Sequence, residues 1–218
     1  MKLHQTIIKF PGIKLQTRDA HKLRGYFGNV FKEYSPLLHN HFDDGKNRYG
    51  YPLVQYKIIK NTPMLMGLGD GAKLLVDLFL KIKNIDIDGN NHEVFSKNIE
   101  NKIIDMSEAG QLYEYNFETL WMALNENNYK KYLKAPKEEK EKLLTTILIG
   151  NILSFYKGIG FWTKEKILVK PKLTAKTTRF KDQDMVAFSG TFTSNAKLPD
   201  HIGIGKSVSR GFGTIYQI

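Results

Sequence analysis

The chain has 218 residues, a formal net charge of +11 and no cysteine, which removes disulfides, thiolate metal sites and cysteine nucleophiles together. With 41% hydrophobic and 12% aromatic residues it can bury a sizeable core, so wholesale disorder is excluded. The charge is sorted along the chain, net +7 over residues 1–60, −3 over 61–156 and +7 over 157–218, which points to a polyanionic partner such as nucleic acid.

The opening MKLHQTIIKFPGIKL has no long apolar run and reads as no signal peptide. Leu3–Phe10 is rich in apolar and β-branched residues, ends at Pro11-Gly12 and predicts a strand. Thr17 is placed to cap a helix from Arg18 to about Tyr34, which Ser35-Pro36 stops. A polar loop, Leu37–Arg48, carries two histidines. Tyr51–Lys60 alternates as a strand, Asn61 turns it, and Met64–Leu68 predicts a second strand. Asp70 is placed to cap a helix over Gly71–Ile82 with Leu74, Leu75, Leu78, Phe79 and Ile82 on one face. One more strand within Glu93–Met106 completes a βαββαβ, ferredoxin-like order.

The second half repeats the theme. Leu112–Leu124 predicts a strand region, followed by helices near Tyr129–Lys134 and Lys137–Tyr156 and a hairpin of Ile167–Phe180 with Met185–Thr193. The stretch Leu143–Tyr156 is too short and too polar to span a membrane; its apolar face suits a core or a dimer interface. The expected class is α+β, with two tandem ferredoxin-like modules, residues 1–108 and 109–218, the second carrying a C-terminal Gly-rich loop.

That loop runs Ile202-Gly203-Ile204-Gly205-Lys206-Ser207-Val208-Ser209-Arg210-Gly211-Phe212-Gly213. Glycines allow a ligand to approach the main chain, successive N–H groups can cradle phosphate oxygens, and Lys206, Arg210, Ser207 and Ser209 add charge and donors. A nucleotide P-loop fails because position 200 is Asp200, and a dinucleotide loop fails because position 208 is Val208. A tight Gly-rich hairpin without ligand stays open. Lys170, Lys172 and Lys176 share one face of a regular strand and, with Arg179, offer a basic edge; a solvated face reads equally well. Arg24 and Lys32 extend the basic surface.

In the first module His39 and His41 stand two residues apart, with Lys32 before them and Tyr49 after. Cleavage of RNA without metal needs a base for the 2′-OH, an acid for the leaving 5′-oxygen and positive charge on the transition state. Imidazole suits both proton steps, and lysine or arginine the third. The letters His39-Asn40-His41-Phe42-Asp43 also start a metal-ligand pattern, but a catalytic metal wants three protein ligands and no further ligand motif is evident. Two solvated loop histidines are the remaining alternative. His201, just before the Gly-rich loop, reads as a surface residue.

The GhGxxxxxGhG loop, together with Leu37-Leu38-His39-Asn40-His41 and the stretch from Tyr49-Gly50-Tyr51-Pro52-Leu53-Val54-Gln55-Tyr56-Lys57, resembles the CRISPR-associated repeat-RNA processing endoribonucleases of the RAMP superfamily. The resemblance implies an endonuclease that cuts CRISPR precursor RNA within the repeat by 2′-OH attack, leaving 2′,3′-cyclic phosphate and 5′-hydroxyl ends. It implies His39, His41, Tyr49 and Lys32 as catalytic residues. The RNA-binding candidates are Gly203, Gly205, Lys206, Ser207, Ser209, Arg210, Gly211 and Gly213 of the loop and Lys170, Lys172, Lys176 and Arg179. No metal or other cofactor is expected. The expected partner is CRISPR repeat RNA, with no membrane, a cytoplasmic location, a homodimer as one option and hand-over of the product to an effector complex as another. A non-catalytic RNA-binding subunit of such a complex is the alternative.

Overall fold

A computed structural model describes residues 1–38, 50–107, 110–180 and 183–218. The chain divides into two compact units. The first is Met1–Met106 with Gly158–Phe161 and Ser209–Gly211; the second is Ser107–Lys157 with Trp162–Val208 and Phe212–Ile218.

The first unit runs β1 (Lys2–Lys9), α1 (Ala20–Val30), β2 (Val54–Ile59), β3 (Thr62–Leu68), α2 (Asp70–Phe79), β4 (Asn84–Ile87), β5 (Asn90–Glu93) and β6 (Asn98–Asp105). The sheet order β2-β3-β1-β6, with every neighbour antiparallel, is the ferredoxin-like βαββαβ order. The β4–β5 hairpin is inserted before its last strand. The register sets Ile8 opposite Leu65 and Leu65 opposite Tyr56. That face carries the core, shared with Leu23, Phe27 and Phe31 from around α1 and with Leu75 and Leu78 of α2. The alternate face, with Gln5, Ile7, Gln55, Lys57, Met64 and Met66, is buried as well. Strand β2 is therefore covered on both sides.

Both helix starts differ from expectation. Thr17–Asp19 forms a 3-10 turn, Asp19 accepts from the Gln16 amide at 3.1 Å, and α1 begins only at Ala20. At α2 the capping position is Gly69, with φ of 55°, so Asp70 lies in the first turn rather than at the cap. Its carboxylate there still faces the positive end of the helix. The β4–β5 hairpin was not anticipated, although Asp88-Gly89 supplies its signal. Both residues have positive φ, 54° and 82°, as a two-residue hairpin turn requires.

The second unit runs β7 (Tyr113–Phe117), α3 (Glu126–Lys134), α4 (Lys137–Gly158), β8 (Val169–Phe180), β9 (Gln183–Ser194) and β10 (Ile215–Gln217), in sheet order β10-β7-β9-β8. Asn125 caps α3 by accepting from the Asn128 amide at 2.8 Å. The α4 residues Leu144, Leu148, Ile152 and Phe155 are buried, so that face is core rather than a free docking surface. Trp121, fully buried among Phe117 and Phe188, donates from its indole to Asn151 of α4 at 3.1 Å. Where a ferredoxin-like module has its second helix, between β9 and β10, this chain has residues 195–214. They hold the Gly-rich motif and, among described residues, a single 3-10 turn, Val208–Arg210. No helix among the described residues is long and apolar enough to cross a membrane.

Candidate functional site

The stretch leading into the Gly-rich segment is held by one tyrosine. Tyr115 on β7 is fully buried; its hydroxyl donates to Ala196 O and accepts from the Leu198 amide, both at 2.9 Å. Burial pushes its pKa above the ordinary tyrosine range, so it stays a neutral donor. Above it the two limbs of the loop are laddered. Ile204 N donates to Gly213 O at 2.8 Å, Ile215 N to Ile202 O at 3.0 Å and His201 N to Ile215 O at 2.8 Å. Gly203 bridges Thr214 in the same ladder.

Further bonds tie this ladder to residues 120–122. Gly213 N donates to Leu120 O at 2.9 Å and Lys206 N to Met122 O at 3.0 Å. At Gly205, with φ of 102°, a Cβ would stand 2.6 Å from Trp121 Nε1, so the glycine answers to the indole beneath it. The main-chain N–H groups of Ile204, Lys206 and Gly213 thus face protein carbonyls. The polar surface of the loop is carried by side chains: Lys206 is exposed, and Ser207, Ser209 and Arg210 are half-buried. Lys206 Nζ also reaches Leu124 O at 3.4 Å.

The tip of the loop, Ser209–Gly211, packs with the first unit. A Cβ at Gly211 would stand 3.1 Å from both Ala20 Cβ and Tyr56 O. The loop tip therefore rests on the start of α1 and on the main chain of β2.

The same strand anchors the flanks of the histidine segment. His39, His41 and Tyr49 lie outside the described residues. Just before them Leu38 is buried, and its carbonyl accepts from the Tyr56 hydroxyl at 2.9 Å. Burial raises the Tyr56 pKa, with the nearby Arg24 charge opposing. Just after them, Gln55 Nε2 donates to the Tyr51 hydroxyl at 2.8 Å and to Pro52 O at 3.1 Å. Neighbouring residues of β2, Gln55 and Tyr56, thus hold Tyr51, Pro52 and Leu38, the described residues on either side of 39–49. Lys32 follows the end of α1 and is exposed, its Nζ 3.9 Å from Glu33 Oε1.

The remaining candidates lie on β8, an edge strand. Lys170, Lys172 and Lys176 are exposed opposite Thr193, Thr191 and Ala187 of β9. Arg179 is exposed too, at odd spacing and opposite Asp184. His201 differs from its sequence reading. It is half-buried, with Nδ1 2.9 Å from Glu118 Oε2. Among the described residues no group of three or more His, Asp or Glu is placed to hold a metal ion. Sequence order also gave no sign that the charge of Arg210, 186 positions later, acts on Arg24 of α1, whose pKa burial lowers first and that charge second.

The architecture first defines a class. Solved structures of a type IV Cas6 crRNA endonuclease (10% identity, TM-score 0.60, all of both chains covered) and of Thermus thermophilus Cas6 (9%, TM-score 0.54, 100% of this chain and 98% of that one) share the tandem ferredoxin-like fold. Within that class the family is specific. The Cas6b N-terminal domain matches residues 1–105 and the Cas6b C-terminal domain residues 107–218, and the chain belongs to the Cas6b family. A crystal structure of Cas6b is 36% identical, with TM-score 0.95 over all of both chains. A crystal structure of the CRISPR RNA processing endoribonuclease Cas6b is 33% identical, with TM-score 0.82 over all of both chains. An uncharacterized protein of Methanocaldococcus jannaschii is 31% identical over 145 residues, 65% of this chain and 97% of that one.

Proposed function

We propose that the chain is an endoribonuclease that cleaves CRISPR precursor RNA within the repeat, by attack of a ribose 2′-OH on the adjoining phosphorus. The observation that carries this reading is the full-length likeness to the Cas6b structure named as a CRISPR RNA processing endoribonuclease. The basic charge at both ends of the sequence supports it.

In the reaction one imidazole of the His39/His41 pair takes the 2′-OH proton, the 2′-oxygen bonds to phosphorus, and the O5′–P bond breaks. The other imidazole gives a proton to the departing O5′, leaving a 2′,3′-cyclic phosphate and a 5′-hydroxyl. Tyr49 and Lys32 assist, the first by hydrogen bonding and the second by charge. Lys206, Ser207, Ser209 and Arg210 grip the backbone on the scaffold of Gly203, Gly205, Gly211 and Gly213. Lys170, Lys172, Lys176 and Arg179 line its path along β8. No step calls for a metal. In this reading the protein works in the cytoplasm and passes its product to a CRISPR effector complex; a homodimer is tested by sizing with and without RNA.

The test uses the CRISPR repeat RNA of the same genome. Cleavage is expected to persist in EDTA, to stop when the attacking ribose is 2′-deoxy, and to yield cyclic-phosphate ends. Cutting of the deoxy substrate, or activity lost to EDTA and restored by zinc, overturns the mechanism. Replacing both His39 and His41 by Ala is expected to abolish cleavage with RNA binding retained. Retained cleavage would remove them from the mechanism. A wild-type protein that binds the repeat but never cuts it is a binding subunit.

A further inference from the structure

Resting on the RNA-binding reading above, we propose that Arg24 of α1 and Arg210 of the Gly-rich segment form a clamp that grips one and the same RNA phosphate. Ala20 and Arg24 are four residues apart on α1 and so share a helix face. The tip of the Gly-rich segment is seated on that face, because Gly211 meets Ala20 where a Cβ would leave only 3.1 Å. The residue before Gly211 is therefore delivered to the face that carries Arg24, and both belong to the same compact unit. Both arginines are half-buried.

Burial lowers the Arg24 pKa, and the Arg210 charge lowers it further. A phosphate reached by two guanidinium groups is attracted by both, and more strongly where water is partly excluded. The planar guanidinium fork matches phosphate oxygens in pairs. A phosphodiester offers two non-bridging oxygens, one for each fork. The clamp sits on Tyr56, whose carbonyl lies under Gly211 and whose hydroxyl holds Leu38. It is thus built on the strand residue that fixes the entry to the histidine segment.

The test is a double-mutant cycle on RNA affinity. Wild type, Arg24→Gln, Arg210→Gln and the double variant are titrated, at several salt concentrations, with the repeat RNA carrying a 2′-deoxy ribose at the cut site. Each single change is expected to weaken binding about tenfold. The double variant is expected to lose little more than either single one, and its salt slope to fall by about 0.7, the value for one phosphate of a single strand. Arg24→Lys keeps the charge and loses the fork, so an intermediate loss is expected from a variant that disturbs packing least.

Additive losses with a slope change of about 1.4 in the double variant would mean two separate phosphates and overturn the clamp. Unchanged affinity in both Arg24→Gln and Arg24→Lys would also overturn it, while leaving the RNA reading intact. Failure of the wild type to bind the repeat RNA sinks the RNA reading itself.

Discussion

The hydroxyls of Tyr56 and Tyr115 act alike in the two units. Each is buried at the sheet and bonds the main chain of a segment carrying candidate site residues: Tyr56 to Leu38, next to His39, and Tyr115 to Ala196 and Leu198, before the Gly-rich loop. Tyr56→Phe leaves the buried Leu38 carbonyl without its donor, a cost of about 1–3 kcal/mol. Cleavage is expected to slow several-fold in single turnover while RNA affinity holds. Tyr115→Phe, at similar cost in stability, is expected to weaken RNA affinity and to leave the chemical step of bound RNA little changed. Thermal melts together with single-turnover rates and binding curves check both, and interchangeable effects of the two variants would refute the division. These roles were not legible in the sequence. Tyr56 and Tyr115 read as strand aromatics, and their partners lie 18 and 81 residues away. The histidines were singled out by type and spacing alone and lie outside the described residues, and Lys206 was singled out by its place in the Gly-rich run.

At the scale of elements, strands and helices followed from local pattern, and their ends did not. The alternation in YPLVQYKIIK marks β2, yet it suggests one polar face, and the structure buries Gln55 and Lys57 on that face as fully as Tyr56. Periodicity reports a strand; it is silent on whether a second layer covers it. The start of α1 was misplaced because the 3-10 turn at Thr17–Asp19 uses the same capping chemistry as an α-helix. The replacement of a helix by residues 195–214 was legible in part, since the glycines there exclude a stable helix. Strand β8 sets a different question. Exposed Lys170, Lys172 and Lys176 on an edge suit RNA contact, and they suit protection of the edge against strand pairing. The two roles part on salt dependence. If the face tracks the RNA backbone, replacing all three by Gln lowers the slope of log K against log salt by up to about 2, at about 0.7 per phosphate. If they only guard the edge, the slope stays and the variant aggregates faster on concentration.

For the whole molecule, the two compact units are not two contiguous pieces of chain, and that makes a prediction about dissection. The first unit recruits Gly158–Phe161 and Ser209–Gly211. Gly158 packs directly on Tyr51, and Gly211 on Ala20 and the main chain of β2. A fragment ending at Met106 keeps all six strands and both helices of the first unit, so local propensity and its core of Phe27, Tyr56, Leu65 and Leu75 are intact. What it lacks are the two returning segments, of which Ser209–Gly211 packs on β2, a strand buried on both faces in the full chain. Its expected state is therefore a folded sheet with weakened β2, not an unfolded chain. The fragment is expected to show near-native circular dichroism, to bind a hydrophobic dye that the full chain does not, and to melt well below it. Hydrogen exchange is expected to speed up first at Val54–Ile59, the strand that meets Gly211. Addition of residues 107–218 in trans should restore protection there. A fragment that is as protected and as stable as the full chain would show that the returning segments are passengers, and the anchoring of the histidine segment through β2 would then owe nothing to the Gly-rich loop.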